Sequence, residues 1–144
     1  MVKGLVALAT ATIDAPTAAV WDALVNPETI RRYMFGTTVV SEWKRGAPIF
    51  WKGVWKGKSY EDKGTILDLK REQVISYSHF SPLSRLPDAP ENYHVVTVKL
   101  QSDGRRTTVT LSQDGNSTEE ARDHSRKNWE MMLASLKDLL ETGQ

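Results

Sequence analysis

The chain has 144 residues, 40% of them hydrophobic and 26% charged, which suits one domain over residues 1–144 with a core of its own. With no cysteine there is no disulfide framework, thiolate zinc site, iron–sulfur cluster or cysteine nucleophile. Nineteen basic residues against 18 acidic ones leave a net charge of +1, far from the basic footprint of a nucleic-acid binder. Five tryptophans stand out: Trp21, Trp43, Trp51, Trp55 and Trp129.

The first segment has two readings. Lys3 followed by Gly4–Ala11 imitates a short leader with a small-residue cleavage pattern. A β-strand over Leu5–Ile13, alternating apolar with small or polar side chains, is preferred, because a helix start follows at once. No apolar run approaches the roughly 18 residues that cross a bilayer. A cytoplasmic protein with no membrane partner is therefore expected.

A helix is predicted next, capped at Asp14 or Ala15 with Pro16 in its first turn and Val20, Ala23 and Leu24 on one face. Asn26-Pro27 restarts a second, short helix that carries Ile30, Tyr33, Met34 and Phe35 and stops near Gly36. Strands follow at Thr37–Trp43, Pro48–Trp55, Tyr60–Lys70, Gln73–Phe80, Glu91–Gln101 and Arg105–Gln113. Their period-two alternation implies an antiparallel sheet with one covered face. Ser81–Pro90, with Pro82, Pro87 and Pro90, is the one long irregular segment, either a gate to a cavity or a plain connection. Ser117 followed by Glu120 reads as a capping box for a long last helix, with Trp129, Met132, Leu133, Leu136, Leu139 and Leu140 in its apolar stripe. Helices gathered on one side of a sheet make an α+β fold. Where a long helix stands off a curved sheet, a cavity opens between them.

Strand parity puts Trp51 and Trp55 on one face with Ile49, Tyr77 and His79 with Ile75, and His94 with Val96. Trp129 and Met132 join them from the long helix, and Tyr33 and Phe35 from the short one. Wide apolar walls with a few polar tips suit an aromatic or lipid-like ligand, and a filled core is the competing account. If their strands pair, His79 and His94 lie close together, as acid/base groups or hydrogen-bond anchors. Two histidines without a ligand-spacing motif do not make a metal site, so neither metal nor cofactor is expected. Lys52–Ser59 resembles a phosphate loop only at a glance: its first glycine is one residue too late, and a hairpin turn explains it better. Asn116-Ser117-Thr118 matches a glycosylation sequon, but helix capping accounts for it. His124 lies among charges on the long helix and reads as solvated.

Four ordered stretches carry a resemblance: VWDALVNPETIRRYMFG (Val20–Gly36), EWKRGAPIFWKG (Glu42–Gly53), GTILDL (Gly64–Leu69) and NWEMMLASLKDLLE (Asn128–Glu141). Together they resemble the family named for the C-terminal domain of the heat-shock-protein-90 ATPase activator, within the START-like, Bet v 1-like superfamily. The resemblance implies a helix-grip fold, a curved antiparallel sheet of about six to seven strands around a long C-terminal helix. The family includes co-chaperone domains, hydrophobic-ligand carriers and cyclase-like enzymes, and a shared fold does not transfer chemistry.

The expectation is a small binding protein, monomeric or homodimeric, that holds a hydrophobic or aromatic small molecule between sheet and helix. Trp51, Trp55, Tyr77, Trp129 and Met132 would line it, His79 and His94 would anchor polar groups, and Tyr33 and Phe35 would form a lid. The alternatives are a chaperone-interacting domain and a cyclase-, dehydratase- or hydrolase-type enzyme using His79 or His94.

Overall fold

The computed structural model describes residues 4–143, with the backbone alone at Trp55. Lys3 of the leader-like pattern lies outside the described residues. The elements in chain order are β1 (Leu5–Ile13), α1 (Thr17–Val25), α2 (Pro27–Tyr33), β2 (Thr38–Ser41), β3 (Pro48–Trp55), β4 (Lys58–Lys70), β5 (Val74–His79), β6 (His94–Ser102), β7 (Thr107–Asn116) and α3 (Glu119–Thr142). The strands form one antiparallel sheet in the order β1-β7-β6-β5-β4-β3-β2. This is the helix-grip arrangement. No described helix is long and apolar enough to cross a membrane.

Parity carries the core. Ile13, Ile49, Ile66, Ile75, Val96, Val98, Val109 and Leu111 are buried, and Leu133 and Leu136 meet them from α3. Each is two residues from another inward residue or opposite one in register, as a sheet covered on one face requires. The Lys52–Ser59 segment is the β3–β4 hairpin. Its two turn residues, Lys56 (φ 50) and Gly57 (φ 78), both have positive φ, which matches the right-handed twist of the strands.

Two helix starts differ from expectation. The N-cap of α1 is Pro16, not Asp14 or Ala15, and no side chain caps it. A residue before proline is held extended, and the Ala15 carbonyl accepts instead from Thr107 Oγ1 at 2.8 Å. The cap of α3 is Thr118 rather than Ser117. Thr118 Oγ1 accepts from the Ala121 amide at 3.0 Å, so Glu120 falls one position short of a reciprocal box.

α3 lies along β1. At one end Ser125 Oγ donates to Asn116 Oδ1 at 3.0 Å. At the other, Lys137 Nζ donates to the Thr12 carbonyl at 2.6 Å and Glu141 Oε2 accepts from the Asp14 amide at 2.8 Å. Ala7, Ala9 and Ala11 present small side chains on the inner face of β1, and the helix backbone approaches closely there. It stands off from β3, β4, β5 and β6.

β4 crosses β5 with a register shift between Ile66 and Asp68. There Gly64 faces the backbone of Ser78 so closely that an added Cβ would fall 1.7 Å from the Ser78 carbonyl oxygen. Gly64→Ala is therefore expected to cost about 3 kcal/mol, because backbone must move. Gly57→Ala, which meets open space and suffers only from its positive φ, is expected to cost about 1 kcal/mol. Urea unfolding of both variants checks the ranking, and equal costs would refute it.

Candidate functional site

The cleft left where α3 stands off the sheet holds three neighbouring hollows that share lining residues. The outer part is an open hollow of about 260 Å³ between Met34, Phe35 and Thr37 on one side and Gln113, Ser125, Asn128, Trp129 and Met132 on the other. A polar hollow of about 80 Å³ lies deeper, among Met34, Thr37, Trp51, Tyr60, Asp62, Tyr77, His79 and Trp129. The third part is an apolar chamber of about 40 Å³. Leu24, Ile30, Tyr33, Val39, Trp43, Ile49, Ile75 and Val98 line it, together with Met34, Trp51, Tyr77, Trp129 and Met132. Met34 and Trp129 line all three parts, so these two side chains are the partitions.

Each partition has a cause. Trp129 points from the inner face of α3, and its Nε1 donates to Gln113 Oε1 on β7 at 2.5 Å, which fixes the indole plane. Met34 follows the last turn of α2, and its amide closes that turn on the Ile30 carbonyl at 2.8 Å. An unbranched thioether side chain is adaptable, so Met34 is the softer of the two walls.

The polar hollow is built from neighbouring strands. Register places Trp51 of β3 opposite Asp62 of β4, and Gly53 opposite Tyr60. The Tyr60 ring lies over Gly53, where a Cβ would come within 2.6 Å of the Tyr60 hydroxyl oxygen. That hydroxyl is 2.9 Å from Thr37 Oγ1. Trp51 meets Tyr77 at a ring separation of 5.0 Å and His79, edge to face, also at 5.0 Å. His79 Nε2 lies 2.9 Å from Asp62 Oδ2 and donates to it.

The expected site residues separate into groups. Trp51, Tyr77, His79, Trp129 and Met132 meet at the cleft. Tyr33 is buried in the wall of the chamber rather than forming a lid, and its hydroxyl donates to the Ala23 carbonyl at 3.0 Å. Phe35, at φ 56, is 69% exposed and borders the outer hollow. The Trp55 side chain lies outside the described residues. His94 pairs directly with His79 in register but serves a different place. Its Nδ1 bonds the Asp114 carbonyl at 2.8 Å, and it lines a separate open hollow of about 530 Å³ beside the start of α3. The segment between β5 and β6, longer than Ser81–Pro90, touches that hollow through Leu86, Glu91 and Asn92, and none of its residues lines the Trp129 cleft. Lys63 pairs with Asp88, Tyr93 donates to Asp88 Oδ1 at 2.6 Å, and Phe80 stacks on Tyr93, so the loop is pinned.

Sequence reasoning missed Asp62, Tyr60, Thr37 and Met34, and left Trp43 without a role. Asp62 and Tyr60 share the parity of Gly64 and Ile66, a signal that was present in the pattern. Trp43 follows β2 at φ 53, with its amide bonded to Ser41 Oγ at 3.0 Å, and that turn brings the residue to the chamber wall. Among the described residues, no three His, Asp or Glu side chains converge as a metal site would need.

A curved antiparallel sheet gripping a helix across a partly hollow interior defines a helix-grip protein with an internal cleft. The chain belongs to the family described as activator of Hsp90 ATPase homolog 1-like protein, whose model matches residues 14–141. It is similar to ChR145 from Cytophaga hutchinsonii, whose solution structure shares 55% identity over 99% of this chain and 98% of that one, with a TM-score of 0.87. CalU16 from Micromonospora echinospora shares the fold at 20% identity and TM-score 0.71, over 93% of this chain and 74% of that one. The Aha1 dimer from Colwellia psychrerythraea does so at 18% identity and TM-score 0.75, over 97% and 98%. No curated protein matches the chain.

Burial pushes the phenols of Tyr33 and Tyr77 well above the usual range, and the neighbouring Tyr77 adds to the rise at Tyr33. A group whose pKa is raised in the folded state stabilises the fold below its unfolded value and ceases to do so as pH rises. The stability supplied by these two phenols is thus full below about pH 10 and falls above it. In an alkaline titration followed at 295 nm, two of the four tyrosines should ionise only as far-UV circular dichroism is lost. Ionisation of all four before unfolding would contradict the burial argument.

Proposed function

We propose that the protein binds a hydrophobic or aromatic small molecule in the cleft between the sheet and α3. The observation that carries this reading is the shared lining: Met34 and Trp129 border all three neighbouring hollows, and Trp51 and Tyr77 border two of them. The outer hollow, about 260 Å³, approaches the usual size of a ligand site, whereas the chamber, about 40 Å³, has room for little more than a water or two. A ring that enters must displace the Met34 side chain, which swings at little cost, and it then lies against Trp129, Trp51 and Tyr77. Aromatic contact and removal of apolar surface from water supply the affinity.

A second reading comes from the family, whose name concerns a chaperone ATPase. Exposed apolar side chains favour it: Val40, 48% exposed on the edge strand β2, and Phe35 on the turn before it. Stimulation of the ATPase of heat-shock protein 90 by this chain would support that reading.

The binding reading has a direct test. Tryptophan fluorescence of the purified chain should shift on titration with small aromatic compounds. Trp129→Ala removes one wall and its Gln113 bond, and should weaken that affinity about tenfold. A fluorescence signal unmoved by any aromatic compound, with no small molecule seen by native mass spectrometry, would remove the reading.

A further inference from the structure

The polar hollow holds a carboxylate that the fold does not satisfy. Asp62 Oδ2 receives the His79 proton donor, but Oδ1 is shut off from solvent and accepts no hydrogen bond among the described residues. Tyr77 lines the same hollow. An ionised carboxylate only accepts, so a donor must complete it. The terminal torsion of an aspartate is broad, and a modest turn offers Oδ1 to the hollow.

The surroundings select among donors. Trp51, Tyr60, Tyr77 and Trp129 contribute aromatic rings, whose faces carry partial negative charge. Asp62 is the acidic group of the hollow, and His79 is bonded to one of its two oxygens. An anionic head group meets both the carboxylate and the ring faces and is repelled. A neutral hydroxyl satisfies Oδ1 but leaves the charge unmatched. A protonated amine answers the carboxylate with a charge-assisted hydrogen bond and the rings with a cation–π contact. The hollow, about 80 Å³, accommodates a head group of a few heavy atoms, and the apolar chamber beside it shares Trp51 and Tyr77.

We propose that this hollow recognises a protonated amine carried on an apolar or aromatic body, with Asp62 as the acceptor and His79 holding Asp62 in place. The proposal rests on the reading of the cleft as a ligand site and names the chemical class that the site takes.

Three probes with one ring and different heads test it: phenethylamine, 2-phenylethanol and phenylacetate, titrated calorimetrically against the full chain at neutral pH. The amine should bind about tenfold or more tighter than the alcohol, and the carboxylate most weakly. Asp62→Asn should lose the preference for the amine while still binding the alcohol. If that variant does not fold, the wild-type series decides alone. An alcohol as tight as the amine, or a tighter carboxylate, overturns the amine proposal and leaves the cleft reading standing. Failure of all three to bind overturns both.

Discussion

The close approach of α3 to β1 is the constraint on which the rest of the structure depends. Ala7, Ala9 and Ala11 leave the helix backbone room to settle against that strand, and Lys137, Glu141 and Ser125 tie it there at both ends. A helix fixed at one edge of a twisted, curved sheet cannot also lie flush on the opposite half. The interior is therefore a wedge. On the narrow side, alanines, valines and leucines fill it. On the wide side the backbone is too far away, and only large side chains reach across.

That geometry explains where the tryptophans went. Trp51 from the sheet, Trp43 from the turn after β2 and Trp129 from the helix all project into the wide half. Small hollows are left between them. Trp129 is held by its bond to Gln113, whereas Met34 has no comparable tether, so the cleft has one fixed wall and one soft wall.

Much of this was legible in the sequence, and the reasons are particular. Ile49 and Trp51, Ile75 and Tyr77, and Val96 and Val98 alternate cleanly, so parity placed them on the inner face without knowledge of the pairing. The division of labour between His79 and His94 was not legible. Parity puts them on one face and register puts them opposite each other. They part company because His79 finds a partner on β4 and His94 finds one at the end of β7, and strand order is invisible to a local pattern. Asp62 was hidden for a different reason. It shares the parity of the buried Ile66, but Gly64 between them has no side chain to continue the apolar pattern.

Asp62 is also the residue that stability alone would not choose. An aspartate on the inner face of a sheet loses hydration, and a carboxylate oxygen without a partner does not recover it. An apolar side chain opposite Trp51 would pack against the ring and cost nothing of the kind. The His79 contact offsets part of the penalty on one oxygen and leaves the other untouched. Among the described residues, Asp62 is the polar group whose buried oxygen has no hydrogen-bond partner, and it borders the cleft. Local inconsistency of this sort concentrates at functional sites, where a ligand supplies what the fold withholds. The same logic separates Asp62 from Gln113 and Thr37, polar residues of the cleft whose hydrogen bonds to Trp129 and Tyr60 are already made. Those two shape the walls, and Asp62 is the group left with an open acceptor in the proposed site.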